Sequence, residues 1–308
     1  MNMRSLVIIF SSLVAFMHLT AAPLAAQSVD EEPSMKAGAY SYSIPDHTLI
    51  GTEQAYTVKD KESLLEIARD FGLGYNEIVN ANPEIDPWVP PKGAEIRIPT
   101  RWILPQVKDE GIVIDLSRMR LYYFFEVGKA KMVITFPVGI AREGFTTPVG
   151  VYSVTDKIRD PVWYPPPGIR QEEPELPNVV PPGPDNPLGG YWLQLSKPRY
   201  GIHGTNKPYG VGRKVSGGCL RLYPEDIRWL FETVKIGTTV RIVNQPVKIG
   251  LENKRLYIEI HKDGTDPAQL DREIRSKIKK AGGPLAIKQQ TLWKAVNNSH
   301  GLPTLISK

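Results

Sequence analysis

Leu121-Tyr122-Tyr123-Phe124-Phe125, then Gly128-Lys129, then Met132-Val133-Ile134-Thr135-Phe136: two runs of aromatic and β-branched residues flank a short glycine-containing break. Such runs favour strands, and the break between them reads as a hairpin turn. Working back from the hairpin, Ile112, Ile114 and Leu116 alternate with Val113 and Asp115, which predicts a further strand. Forward of it, strand signals continue to about residue 245 with one brief helical pattern. In residues 224–234, Ile227, Leu230 and Phe231 share a face, and Glu225 and Asp226 lie in the first turn. The pattern predicts a mainly β domain over residues 100–245, built from meanders. A proline-rich run at residues 161–187 interrupts it, with Pro165-Pro166-Pro167 and Pro181-Pro182-Gly183-Pro184. Proline cannot donate to a sheet ladder, so this run is read as an extended or turn-rich loop over the domain face, a candidate lid.

The rest of the chain divides around this domain. Its 308 residues are enough for two modest domains with extensions. Arg4, an apolar run over residues 6–16 and then Ala21-Ala22-Pro23-Leu24-Ala25-Ala26 follow the order of a secretory signal peptide, residues 1–26. The alternative is an uncleaved anchor, because residues 6–26 nearly span a bilayer. Residues 27–54 are mixed and polar with little periodicity and are read as a linker. Residues 55–99 predict a small α/β unit in the order strand, helix, helix, strand. Leu64, Leu65, Ile67, Ala68 and Phe71 share one helix face, stopped by Gly72 and Gly74; Ile78 and Val79 mark a second helix; Ile96 and Ile98 alternate as a strand. Residues 246–308 form a partly helical C-terminal extension. It has a strand-like run at 256–260, a helical pattern on Leu270, Ile274 and Ile278, and another over 292–296.

The net charge of +5 comes with no nucleic-acid recognition motif, so nucleic acid is not expected as a partner. Lys277, Lys279 and Lys280 read as a solvated helix face. Cysteine usage says more. Cys219 is the single cysteine, so no internal disulfide is open to an exported chain of this sequence. Its thiol is free or pairs with another molecule, and a buried inert cysteine is the plain alternative. Around it lie Ile202-His203-Gly204-Thr205 and Ser216-Gly217-Gly218-Cys219-Leu220-Arg221-Leu222. A thiol attacks acyl carbons as thiolate, and a nearby imidazole takes its proton. Glycines let a substrate approach the backbone, and the N–H groups of Gly218 and Cys219 are candidate oxyanion donors. His261 falls outside this cluster and is read as structural.

That stretch resembles the signature of the YkuD-type L,D-transpeptidases: histidine-glycine, a loop, then serine-x-glycine-cysteine with an arginine two residues on. Arg120-Leu121-Tyr122-Tyr123-Phe124, Phe136-Pro137-Val138-Gly139-Ile140, Thr147-Pro148-Val149-Gly150 and Pro182-Gly183-Pro184-Asp185-Asn186-Pro187-Leu188-Gly189 are similar to that family as well. Many members carry histidine directly after the signature serine, where this chain has Gly217. Within residues 55–99, Tyr56-Thr57-Val58, Leu64-Leu65-Glu66-Ile67-Ala68, Asn80-Ala81-Asn82-Pro83 and Ile96-Arg97-Ile98-Pro99 resemble a LysM module. That family binds the N-acetylglucosamine-containing backbone of peptidoglycan. Its usual Pro-Gly-Asp before the first helix is here Asp60-Lys61-Glu62.

Together the resemblances cover about residues 55–245 and imply a YkuD-type β-sandwich with a glycan-binding module, in the Gram-negative periplasm. They imply Cys219 as nucleophile, His203 as base and later acid, and the Gly204 carbonyl as the group orienting the imidazole. Ser216, Gly217, Gly218 and Arg221 would shape the substrate pocket, with no cofactor. The implied partners are peptidoglycan stem peptides and glycan strands, and an outer-membrane lipoprotein as one acyl acceptor. An L,D-carboxypeptidase using the same thiol, or a non-catalytic wall-binding protein, are the alternatives.

Overall fold

The computed structural model describes residues 40–44, 47–261, 266–281 and 287–308. The expected signal peptide and residues 27–39 of the expected linker lie outside the described residues. The remainder of that linker is not one. Strand β1 (Tyr40–Ser41) pairs antiparallel with the hairpin strand predicted around residue 133, through Tyr40↔Val133. Strand β2 (Leu49–Gly51) carries buried Leu49 and Ile50. Strands of two and three residues are too short for alternation to register in a sequence, which is why this segment reads as irregular.

The expected strand–helix–helix–strand order is present. Strand β3 (Gln54–Thr57) is followed by helices α1 (Leu64–Asp70) and α2 (Tyr75–Ala81) and by strand β4 (Glu95–Ile98), which pairs antiparallel with β3. Ser63 starts α1 with a capping box. Its Oγ accepts from Glu66 N at 3.3 Å while Glu66 Oε2 accepts from Ser63 N at 2.9 Å. The unit does not close at residue 99: strand β5 (Arg101–Ile103) returns to pair with β2. Nor does it keep a core to itself. Leu64, Ile67, Ile78, Ile98 and Trp102 pack in one cluster with Val113, Tyr122, Phe124 and Val133 of the following domain.

That domain is built on one large sheet and a separate two-stranded ribbon. Its strands are β6 (Gly111–Asp115), β7 (Arg120–Val127), β8 (Ala130–Pro137), β9 (Ile140–Ala141), β10 (Gly150–Arg159), β11 (Tyr191–Leu195), β12 (Gly201–His203), β13 (Lys214–Ser216), β14 (Leu220–Arg221) and β15 (Thr239–Val243). The opening hairpin forms as expected, with Gly128 and Lys129 as its two-residue turn between β7 and β8. Nine strands run in one hydrogen-bonded order, β1-β8-β7-β6-β15-β10-β11-β12-β14, with β10 shared between its two halves. A register shift in β10 between Val154 and Asp156 bends it. The sheet curls far enough for its ends to meet. Just past β8, Gly139 exchanges both backbone bonds with Arg221 of β14, at 2.7 and 2.9 Å.

Helix α3 (Pro167–Glu172) lies in the proline-rich loop and α4 (Pro224–Thr233) links β14 to β15. The loop is more ordered than a run of prolines suggests. Asn186 is fully buried and donates to the carbonyls of Pro161, Val180 and Pro181, and Trp163 and Val180 form an isolated bridge.

In the C-terminal extension, strands β16 (Val247–Glu252), β17 (Arg255–Ile260) and β18 (Thr304–Leu305) form a three-stranded sheet covered by α5 (Pro267–Lys280) and α6 (Gln289–Asn298). Ile258, Leu270, Ile274 and Ile306 make its separate core. The sequence anticipates β17 and both helices but not β16, whose Lys248 breaks the apolar pattern while being fully buried.

Candidate active site

The two signature segments meet as neighbouring strands. β12 and β14 run parallel, with Ile202 opposite Leu220 and His203 opposite Arg221. Successive side chains on a strand face opposite ways. Ile202 and Leu220 therefore enter the core, where both are buried, and His203 and Arg221 share the other face. Cys219 directly precedes β14, and the Arg221 charge acts on its thiol as it does on His203.

The imidazole is fixed at one nitrogen and on one ring face. Its Nδ1 lies 2.6 Å from Gly204 O. A carbonyl oxygen can only accept, so Nδ1 carries the proton and Nε2 keeps its lone pair. The Trp192 ring, directly opposite on β11, stacks on the imidazole with centroids 5.6 Å apart and planes 22° apart. Trp192 in turn requires glycine at 201, where a Cβ would lie 2.4 Å from the indole. Nothing in the sequence singles out Trp192, because its role depends on β11 being the neighbour of β12.

Cys219 is half-buried, and its Sγ lies 3.4 Å from Arg199 O, a geometry in which the thiol donates. Ser216 acts as a turn clamp. Its Oγ donates to Cys219 O at 2.6 Å and accepts from Gly218 N at 3.2 Å. This corrects one expectation: the Gly218 N–H is committed to Ser216, so Cys219 N–H is the donor left from the expected oxyanion pair. Thr147, noticed in the sequence only within a similar motif, is buried and ties the loop down by donating to Gly218 O at 2.9 Å.

Beside this face lies a cavity of about 800 Å³. Ser216, Gly217 and Arg221 line it, whereas His203, Gly204, Gly218 and Cys219 lie outside its lining. The proline-rich loop supplies the opposite wall through Trp163, Ile169, Glu172 and Glu173, which puts it where a lid was expected. Its α3 is held to the catalytic side by an Arg142–Glu172 ion pair. Arg221 Nε is buried in this wall without a hydrogen-bond partner among the described residues.

Comparison with known proteins bears on what such a face does. A family model described as the L,D-transpeptidase catalytic domain, YkuD, matches residues 109–242. "Probable L,D-transpeptidase YbiS" of Escherichia coli (strain K12) is 36% identical over 288 residues, 88% of this chain and 93% of that protein. The chain belongs to the L,D-transpeptidase family. Two further members are similar over shorter spans. "Probable L,D-transpeptidase YcfS" of the same strain is 37% identical over 69% of each chain. "Probable L,D-transpeptidase ErfK/SrfK" of Salmonella typhimurium (strain LT2) is 36% identical over 72% of this chain and 74% of that one.

As an L,D-transpeptidase the chain is an enzyme, and the electrostatics of the face define its resting state. Burial pushes the Cys219 thiol up to about 11, against the Gly201 backbone bond and the Arg221 charge, which favour the thiolate. Burial also drives His203 down to about 3, and the Arg221 charge adds to that effect. At neutral pH both groups are therefore neutral, a thiol beside a free imidazole and not a thiolate–imidazolium pair. Alkylation of Cys219 by iodoacetamide is expected to speed up about tenfold per pH unit from pH ~6 to ~10, with no step near the usual histidine range. The rate is followed by mass spectrometry, and a plateau below about pH 7 would contradict the neutral pair.

Proposed function

We propose that this L,D-transpeptidase acts on the tetrapeptide stems of peptidoglycan through a thioester on Cys219. The observation that carries the reading is the fixed imidazole. Gly204 holds Nδ1–H and Trp192 holds the ring plane, which leaves the Nε2 lone pair unprotonated and free to take the thiol proton. In the first step the sulfur attacks the carbonyl carbon between a diamino acid, meso-diaminopimelate, and the terminal D-alanine. The thiol proton passes to His203 Nε2, the C–N bond breaks, and His203 returns that proton to the D-alanine nitrogen. In the second step an amine attacks the thioester, and its proton travels through His203 to the departing sulfur. No cofactor enters either step.

Arg221 is suited to a carboxylate of the stem, since its buried Nε has no protein partner among the described residues. An amine of a second stem would give a crosslink between diamino acids, and a lysine of an outer-membrane lipoprotein would tether the wall to that membrane. Residues 55–99 we read as a LysM module that holds glycan strands, and the N-terminal residues 1–26 as the signal that sends the chain to the periplasm.

The test is mass spectrometry of residues 27–308 with disaccharide-tetrapeptide muropeptides. An acyl adduct on Cys219 with D-alanine release and dimer formation is the expected result. D-alanine release with no dimer, even with added amines, would turn the reading into an L,D-carboxypeptidase. No adduct at all would sink it in favour of a wall-binding protein.

A further inference from the structure

The 55–99 unit and the catalytic domain meet in a seam that makes a surface neither has alone. Gly74 and Gly212 pass so closely that a Cβ on either would lie 2.6 or 2.3 Å from the other's Cα. Beside them the N–H groups of Tyr75 and Asn76 donate to the carbonyls of Val211 and Gly212, at 3.1 and 3.2 Å. The start of α2 is thereby fastened, backbone to backbone, onto the segment that walls the cavity. Across the seam runs a line of flat groups. Tyr209 and Arg213 line the cavity. The Arg213 guanidinium lies 4.6 Å from the Tyr75 ring centroid, and Tyr75 lies 6.4 Å from Trp88.

A lone exposed indole needs no explanation. Trp88 is 56% exposed but is not loose. Asp86 Oδ1 accepts from the N–H groups of Trp88 and Val89 at 2.8 and 3.1 Å, and Pro87 O accepts from Leu64 N at 2.9 Å. A hydrogen-bonded loop thus presents the ring to solvent at the end of a line that begins in the cavity. Indole and phenol rings offer wide apolar area with few torsions to freeze. A pyranose presents a C–H face to such a ring while its hydroxyls stay in water.

We propose that Trp88 and Tyr75 form a sugar subsite, continuous through Arg213 with the cavity, that holds the glycan of the donor while its stem peptide enters the cavity. This rests on the peptidoglycan reading above. It makes the 55–99 unit a rigid part of the active site that sets the distance from sugar to thiol, in place of a flexible anchor that merely raises local concentration.

The test compares Trp88→Ala and Trp88→Phe with the parent in the full exported chain. Two measurements are made: KM for a disaccharide-tetrapeptide against a sugar-free tetrapeptide, and binding of peptide-free glycan strands by calorimetry. In Trp88→Ala the ratio of the two KM values is expected to rise about tenfold with kcat little moved, and glycan binding to weaken by a similar factor. Trp88→Phe should restore part of both. Equal KM changes for the two donors, or glycan binding indifferent to residue 88, would overturn the subsite. If the parent turned over neither donor yet bound glycan through Trp88, the subsite would stand and the catalytic reading would fall.

Discussion

Cys219→Ala is expected to abolish D-alanine release from tetrapeptide stems, lowering kcat by roughly four orders of magnitude or more, because no other group on this face can form the acyl intermediate. His203 has the lone pair but, held near a pKa of about 3, is a poor nucleophile itself. Ser216 Oγ, in the same loop, is already spent on Cys219 O and Gly218 N. The variant should fold normally. The thiol is half-buried and its polar contacts are weak ones to backbone, at Arg199 O (3.4 Å) and Gly201, so stability should change by less than about 1 kcal/mol. His203→Ala is expected to lose activity on a similar scale but with a structural cost, since it leaves a hole against Trp192 in a buried position. Activity and thermal melts of both variants separate the two effects. A Cys219→Ala enzyme retaining more than about 1% of turnover would require a different nucleophile.

These residues were legible because the signature is local. His203 with Gly204, and Ser216 through Arg221, are short runs whose chemistry survives without knowledge of the fold. The hairpin at β7 and β8 was legible for the same reason: eight-residue strands with aromatic and β-branched residues carry their own signal. What stayed hidden depends on distant partners. Trp192 matters only because β11 lies beside β12. The committed Gly218 N–H depends on which way the Ser216 hydroxyl turns. Residues 40–51 read as linker because their strands are two and three residues long, yet they close an edge of the main sheet and pair with β5. Buried charges stay hidden in the same way. Glu77 and Lys248 look like solvent positions in their own segments, and each is buried because its counter-charges arrive from elsewhere in the chain.

That buried cluster yields the largest expected effect on stability. Glu77 of α2 pairs with Arg120 at 2.7 Å and with Arg118 at 3.2 Å, and accepts from Trp102 Nε1 at 3.0 Å and Gly74 N at 2.8 Å. From the other side Lys248 of β16 pairs with Asp115 at 2.8 Å and with Glu259 of β17 at 2.9 Å, while Arg118 reaches toward Glu259 at 3.9 Å. Three carboxylates and three cations, all buried, thus join the 55–99 unit, the main sheet and the C-terminal extension at one point. Such a cluster need not be more stable than an apolar core, but removing one member strands the rest. Glu77→Ala would leave Arg120 without its carboxylate, Arg118 with only the more distant Glu259, and the N–H groups of Trp102 and Gly74 without that acceptor, and is expected to cost about 3–5 kcal/mol in denaturant unfolding. Arg275→Ala, which breaks an exposed pair with Asp271, should leave the unfolding midpoint almost unmoved and serves as the control.

The pH dependence follows from the same charges. Burial alone would raise the Glu77 carboxyl, but Arg120 and Arg118 bring it below the usual carboxylate range; Lys248 and Arg118 do the same for Glu259. Depressed carboxylates contribute stability that is fully present above their unfolded value, about 4.3, and is lost as pH falls through the lower folded values. The parent should therefore lose stability on acidification below about pH 5, and Glu77→Ala should show a shallower loss over that window. Because Glu77 also accepts from Gly74 N, beside the backbone seam to Val211 and Gly212, the variant that remains folded in mild conditions should loosen that seam. Hydrogen exchange at Tyr75 and Asn76 would then quicken before global unfolding, whereas a cluster serving bulk stability alone would leave those amides protected up to the global transition.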